Sequence, residues 1–230
     1  FQSVQNAILQ TMYPQFAHIE NDVRRQKDGW TDMLVLSAWV GVPAGTIGYI
    51  VLPVLIPLLY GTRWTDVGSI VGVLALAYCL LPTMSVLAAG LEQRGMFKAI
   101  LISLFLGIAT IVPFCFAAVN ARYPVLAGIG LGVSFAVQHA LNLLFASRSR
   151  LIDIRRILVE YLLIGSVCLI VLVTEYCLLR FSYRWEFSIV TTALSIAFLG
   201  SVVVVGCGAL ASIKGLGPLA ILRRRNLLSR

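Results

Sequence analysis

Long apolar blocks dominate this chain and decide what it can fold into. Stretches of about 20 to 28 predominantly apolar residues alternate with short charged segments, and about 20 apolar residues in a helix cross the hydrocarbon core of a bilayer. This pattern is typical of repeated membrane crossings. The six stretches are Met33–Tyr60, Val67–Gly90, Ala99–Val119, Pro124–Ala146, Ile157–Leu179 and Ser188–Ile213.

The spans are predicted to be helical, because every backbone amide in hydrocarbon must be hydrogen-bonded within its own segment. Strands of a β-barrel would instead alternate over only about ten residues. Phe1–Ile19 is interspersed with glutamine and asparagine and is predicted to be a partial helix. The sequence therefore predicts an all-α, polytopic transmembrane helix bundle of about six full spans. We expect a partial helix and basic cytoplasmic loop over 1–32, the bundle over 33–213 and a basic cytoplasmic tail over 214–230.

Composition argues against a soluble protein. Of 230 residues, 59% are hydrophobic and 12% are charged, whereas soluble domains carry roughly 25% charged residues. The net charge of +8 lies in the segments between spans rather than along one face, so we predict no nucleic-acid partner. The five cysteines stand singly within apolar spans, which indicates no metal site and no cofactor.

Lysine and arginine predict the orientation. Of 18 such residues, 14 fall in alternate segments that share one side of the bundle and 4 in the others. The positive-inside rule places the richer side, which includes the C-terminus, in the cytoplasm. Tryptophan and tyrosine favour the membrane interface, and four of them mark the poorer side. These are Trp64, Tyr123, Tyr183 and Trp185.

A polar stripe is predicted on the fourth span. Ser134, Gln138 and Asn142 recur every four residues, and His139 lies beside Gln138. Polar groups at such depth rarely face lipid, so the stripe either lines a hydrated cavity or forms hydrogen bonds between helices. Both readings stay open on the sequence alone. Gly128 and Gly132 form a GxxxG pattern in the same span, which predicts close helix packing.

Two carboxylates fall within the fifth span. Glu160 follows Arg156 by four residues and Glu175 precedes Arg180 by five. Because both lie near span ends, we expect each to reach headgroup water or a nearby basic partner rather than to couple ions to transport.

Prolines within the spans are expected to favour kinks, because each removes a helical hydrogen bond. They are Pro43, Pro53, Pro57, Pro82 and Pro113.

No catalytic constellation is visible, and we predict that the protein is not an enzyme. The sequence contains no HExxH, GxSxG or P-loop motif and no paired carboxylates. A basic segment over Ser147–Arg156 and the arginines of the tail are suited to anionic lipid headgroups or a lipid-linked pyrophosphate, although topology signalling alone also explains them.

Three short segments carry a resemblance to a known family. They are Tyr13–Asp22 (YPQFAHIEND), Leu58–Trp64 (LLYGTRW) and Ala88–Phe97 (AAGLEQRGMF). These segments resemble the C-terminal half of polysaccharide flippases, the O-antigen and exopolysaccharide transporters of the multidrug/oligosaccharidyl-lipid/polysaccharide exporter superfamily. His18 departs from the pattern, since a serine followed by a basic residue is more usual there.

The resemblance implies a transporter of the bacterial cytoplasmic membrane. Such flippases typically have 14 helices, so this chain would hold part of the eighth and the last six, and an N-terminal lobe of the same protein would precede it. The implied activity is flipping of an undecaprenyl-diphosphate-linked oligosaccharide by alternating access. Membrane lipids and the polysaccharide polymerase machinery are further candidate partners. The candidate substrate-binding residues are chosen because they are polar and lie deep in the predicted spans. They are Asn6, Gln10, Gln138, His139 and Asn142.

Other functions remain open on the sequence. A drug exporter or a peptidoglycan-precursor flippase of the same superfamily would look similar, although the LLYGTRW turn favours polysaccharide export. A membrane-embedded glycosyl or acyl transferase would normally show acidic or histidine residues in a sizeable outer loop, and the outer loops here are short. A purely structural membrane subunit is the third alternative.

Overall fold

The computed structural model describes residues 22–184 and, further along, residues 200, 201, 204, 205 and 208. Every regular element within these residues is helical, which confirms the predicted all-α fold. The elements are α1 (Val23–Tyr60), a 3-10 turn (Thr62–Trp64), α2 (Thr65–Tyr78), α3 (Leu81–Gln93), α4 (Phe97–Ala121), α5 (Val125–Arg148) and α6 (Ile154–Arg184).

The chain is a membrane protein with several spans. In the described part, five helical segments are long and apolar enough to cross a bilayer, and they correspond to the first five predicted spans. The sixth predicted span lies almost entirely outside the described residues, as does Phe1–Ile19. The five segments are Val23–Tyr60, Thr62–Gln93, Phe97–Ala121, Val125–Arg148 and Ile154–Thr174.

The first helix begins earlier than the apolar pattern suggested. Asp22 caps α1, because its side chain accepts a hydrogen bond from the Arg25 backbone N–H at 3.0 Å. Arg24, Arg25 and Lys27 therefore belong to the opening turns of a helix and not to a loop. The apolar pattern predicts where α1 enters the membrane, but the helix itself starts earlier, at its cap.

The five prolines of the predicted spans occupy two kinds of position in the helices. Pro82 stands in the first turn of α3, and the helical path is interrupted just before it, so the second predicted span consists of α2 and α3. A proline at the start of a helix removes no internal hydrogen bond, which explains why the break precedes it. The other four prolines lie inside the continuous helices α1 and α4.

Glycines allow α5 to pack closely on two neighbours. A Cβ added at Gly128 would contact Val73 of α2 at 3.1 Å, and one added at Gly132 would contact Ala77 at 3.6 Å. The packing predicted from the GxxxG pattern is therefore present, against α2. A Cβ at Gly130 would overlap Phe114 of α4, so α4 and α5 also approach closely.

The apolar core lies toward one end of the bundle, which we call the basic end. There α1, α4 and α6 begin, α3 and α5 end, and arginine and lysine residues collect. The core joins the first half of α1, the second half of α3 and the start of α6, with Leu151 of the α5–α6 turn between them. Its side chains include Trp30, Leu34, Ala38, Leu87, Leu91, Ala146, Leu151 and Ile157.

Candidate functional site

The polar stripe on α5 divides between two faces of the helix. The Ser134 hydroxyl donates to the Gly107 carbonyl oxygen of α4 at 2.8 Å, and Gln138 Nε2 donates to Ser134 Oγ at 3.2 Å. A Cβ added at Gly107 would overlap the Gln138 amide. Ser134 and Gln138 therefore lie in the seam between α4 and α5, where their hydrogen bonds fasten two closely packed helices.

His139 faces the interior instead. It is 6% exposed, its ring stacks on that of Tyr161 with centroids 5.6 Å apart, and its Nε2 lies 3.0 Å from the Tyr161 hydroxyl. On the other side, Nδ1 lies 3.4 Å from Thr83 Oγ1. One histidine thus links α5 to both α3 and α6 through polar side chains.

The direction of these hydrogen bonds follows from Thr83. Its hydroxyl donates to the Leu80 carbonyl oxygen at 2.7 Å, so its oxygen is left as an acceptor. The tautomer that suits this arrangement has a proton on His139 Nδ1, directed at Thr83, and accepts the Tyr161 O–H at Nε2. Three side chains from three helices are then satisfied as one chain of hydrogen bonds.

Asn142 lies one helical turn from His139 toward the basic end. It is 4% exposed, and no donor from the described part of the chain lies within hydrogen-bonding distance of its Oδ1. Buried polar atoms are nearly always hydrogen-bonded, so an acceptor of this kind calls for a specific explanation.

Glu160 occupies a position that the sequence did not indicate. It is 0% exposed, and its Oε2 accepts a hydrogen bond from Trp39 Nε1 of α1 at 3.1 Å. The expectation that Glu160 reaches headgroup water is therefore wrong. Arg156, the basic residue one helical turn before it, pairs with Asp32, with Nη2 2.6 Å from Oδ1. Glu175 lies at a position whose side chain falls outside the described ones.

Polar contacts fasten the α5–α6 turn at the basic end. The Asp153 backbone N–H donates to Thr31 Oγ1 of α1 at 2.9 Å, close to the Asp32–Arg156 pair. From the end of α3, the Arg94 guanidinium donates to the Ser149 carbonyl oxygen. We call this set of contacts the basic-end clamp, because it holds the turn against both α1 and α3.

One comparison with known proteins gives a match, and it covers the first part of the chain. Residues 1–69 match the polysaccharide biosynthesis protein family. The match fits a polysaccharide flippase-type protein, and with the membrane-length helices it indicates a membrane transporter related to polysaccharide synthesis. No curated protein and no solved structure matches the chain.

Residues of the flippase-like motifs have structural roles where the structure describes them. In LLYGTRW, Gly61 has a φ of +94°, a conformation that favours glycine, and its N–H donates to the Pro57 carbonyl oxygen at 2.8 Å. In AAGLEQRGMF, a Cβ at Gly90 would overlap Leu151, and Arg94 belongs to the basic-end clamp. The first motif lies outside the described residues except for Asp22.

The predicted binding residues are thus only partly brought together. Asn6 and Gln10 lie outside the described residues, Gln138 contacts Ser134 beside α4, and His139 and Asn142 are both buried in the interior. Sequence reasoning missed Thr83, Tyr161 and Trp39, whose polar atoms join this interior only through tertiary contacts. Within the described part of the chain, no three histidine, cysteine, aspartate or glutamate side chains are grouped to hold a metal ion.

Proposed function

We propose that the chain forms one helical lobe of a flippase. It moves an undecaprenyl-diphosphate-linked oligosaccharide from the inner to the outer leaflet of the bacterial cytoplasmic membrane, for cell-surface polysaccharide. Transport proceeds by alternating access between two lobes and makes or breaks no covalent bond. The C-terminus and the basic end face the cytoplasm.

The family match over residues 1–69 is the observation that carries this proposal. Two further features support it. Within the described residues, the segments rich in arginine and lysine lie together at one end, where they suit anionic headgroups and pyrophosphate. Buried polar side chains inside a membrane bundle are costly, so a functional role for the His139 and Asn142 face explains their presence.

The roles within the site follow from chemistry. Sugars offer hydroxyl groups, and the amide oxygen of Asn142 and the imidazole of His139 can exchange hydrogen bonds with them. Asn6, Gln10 and Gln138 are the remaining candidates to contact the head group. The basic end attracts the pyrophosphate, while the lipid tail stays in the surrounding hydrocarbon.

Single substitutions test whether the interior face serves export. In the full-length protein, Asn142→Leu should lower surface polysaccharide at least about tenfold at normal membrane abundance, because it removes a substrate contact. Surface polysaccharide and membrane abundance are measured for Gln138→Leu in the same way. The matched control is Ser134→Ala, a buried polar residue of the same helix whose hydroxyl serves the α4–α5 seam; it should export normally.

The measurement is surface polysaccharide together with protein level in the same cells. If Asn142→Leu exported normally, or lost export only in proportion to lost protein, the interior face would have no part in transport. A change in drug sensitivity without a change in polysaccharide would instead indicate a drug exporter.

A further inference from the structure

The basic segment Ser147–Arg156 contains four arginines, of which one is paired. Arg156 is engaged with Asp32 in the basic-end clamp. The other three are exposed, and no carboxylate in the described part of the chain lies within ion-pair distance of them. They are Arg148, Arg150 and Arg155. Three exposed cations in one short segment, none of them ion-paired, form a surface that attracts anions.

The backbone holds two of these arginines where helix stability does not favour them. Arg150 has a φ of +55° in a Schellman cap that closes α5, a position that glycine usually occupies. In this cap the Arg150 N–H donates to the Ser147 carbonyl oxygen at 3.0 Å, and the Leu151 N–H donates to that of Ala146 at 2.9 Å. Arg155 lies in the first turn of α6, where the helix dipole disfavours a cation. Both arginines therefore call for a role beyond the helices themselves.

The turn that carries the three arginines is held from two sides. The Asp153 backbone N–H donates to Thr31 of α1, and the Arg94 guanidinium of the α3 end donates to the Ser149 carbonyl oxygen. The Asp153 carboxylate, the acidic group of the same segment, accepts from the Arg156 backbone N–H at 3.4 Å and so caps α6. The turn is thus already ordered, which lowers the entropic cost of binding a ligand there.

Two exposed apolar rows lead toward these arginines. On α5, Leu144 precedes Arg148 by one helical turn, and on α6, Leu158 and Leu162 follow Arg155 on the same face. All three leucines are exposed, so in a membrane they contact acyl chains. Each row therefore runs from hydrocarbon to a cation. A phospholipid joins its acyl chains and its phosphate in the same order.

We propose that Arg148, Arg150 and Arg155 bind the phosphate of an anionic phospholipid in the leaflet at the basic end. The guanidinium groups donate to the phosphate oxygens, and the acyl chains lie along the exposed rows. Topology signalling requires only positive charge somewhere in the segment, whereas this site requires the arginines at their fixed positions. The site goes beyond the proposed function, because its ligand is the lipid that surrounds the protein and not the lipid that is exported.

Arg122 provides a matched control for Arg150. It is exposed, has a φ of +51° in the same kind of cap after α4, and is the one basic residue of the turn at the opposite end. Glycine adopts this conformation readily, so Arg150→Gly and Arg122→Gly should each raise the thermal unfolding midpoint of the purified full-length protein by about 2 °C. A loss of lipid binding in Arg150→Gly is then separated from a loss of folding.

Native mass spectrometry of the purified full-length protein measures the affinity for phosphatidylglycerol and for phosphatidylcholine. The native protein should prefer phosphatidylglycerol. Arg150→Gly and Arg155→Gln should each weaken phosphatidylglycerol binding about fivefold, which is the contribution of one arginine near an anionic lipid surface. Arg122→Gly should leave it unchanged.

Three results would refute the site: equal affinity of the native protein for both lipids, unchanged phosphatidylglycerol binding in Arg150→Gly or Arg155→Gln, or an equal loss in Arg122→Gly. Displacement of phosphatidylglycerol by an equal concentration of inorganic pyrophosphate would assign the arginines to a diphosphate and would also overturn the proposal. Lipid affinity and export are measured independently, so the proposed function stands or falls on its own experiment.

Discussion

Glu160 and His139 show how tertiary partners decide the role of a polar residue in a membrane helix. Glu160 lies near the start of a span, yet it is buried and accepts a hydrogen bond from Trp39, which lies 121 positions away in the sequence. His139 lies on the same span as Ser134, yet it contacts Thr83 and Tyr161 rather than α4. Spacing along one helix identifies polar residues at depth, but it does not reveal which helix packs against them.

The Glu160 contact predicts a measurable loss of stability. Glu160→Ala would leave the buried Trp39 N–H without this acceptor, which costs about 1–3 kcal/mol. Glu160→Gln retains an oxygen at the same place and should cost less. The measurement is the thermal unfolding midpoint of the purified protein in detergent.

A background without the donor provides the control. In Trp39→Phe, adding Glu160→Ala should lower the midpoint by less than it does in the native background, since the hydrogen bond is already absent. Equal effects in both backgrounds would show that Trp39 and Glu160 are not energetically coupled.

The basic-end clamp and the apolar core together determine how the helices assemble at the basic end. The Asp32–Arg156 pair joins the first helix to the last described one, with side chains 11% and 18% exposed. Exposed ion pairs contribute only about 0–1 kcal/mol, whereas removing one partner of a buried pair costs about 3–5 kcal/mol. This pair lies between those limits and closer to the buried case.

A double-mutant cycle tests the clamp. Asp32→Asn and Arg156→Gln should each lower the free energy of unfolding. The double variant should lower it by less than the sum of the two, which corresponds to a coupling free energy above about 1 kcal/mol. The same cycle on Asp22 and Arg25, an exposed pair at 3.4 Å, is the matched control and should give about 0.5 kcal/mol or less. Similar coupling for both pairs would contradict a structural role for the clamp.

Much of the helical architecture was predictable from the sequence because apolar length is a direct requirement of the bilayer. The first five spans and the close packing at Gly128 and Gly132 were predicted correctly. The start of α1 at Asp22 and the break before Pro82 were not, since both depend on local hydrogen bonds that average hydropathy does not register. The division of the polar stripe depends on which neighbours α5 has, and a single sequence does not contain that information.

The arginine and lysine residues gathered at one end of the described bundle predict that this end faces the cytoplasm. In intact cells, an impermeant thiol reagent should label Arg63→Cys, which lies in the turn between α1 and α2 at the opposite end, and should not label Arg148→Cys. Both side chains are exposed, so the comparison isolates sidedness. Labelling of Arg148→Cys before permeabilisation would reverse the orientation.

If the protein moves a lipid-linked oligosaccharide between leaflets, its loss must change how that lipid is distributed across the membrane. Cells are depleted of the full-length protein, and the lipid-linked oligosaccharide is assayed in spheroplasts with an impermeant glycosidase before and after permeabilisation. We predict that the complete oligosaccharide accumulates and is cleaved only after permeabilisation, and that restoring the protein makes it accessible from outside. Accumulation of an incomplete oligosaccharide would indicate a transferase. A complete oligosaccharide that reaches the outer leaflet as usual in depleted cells would show that the protein is not its flippase.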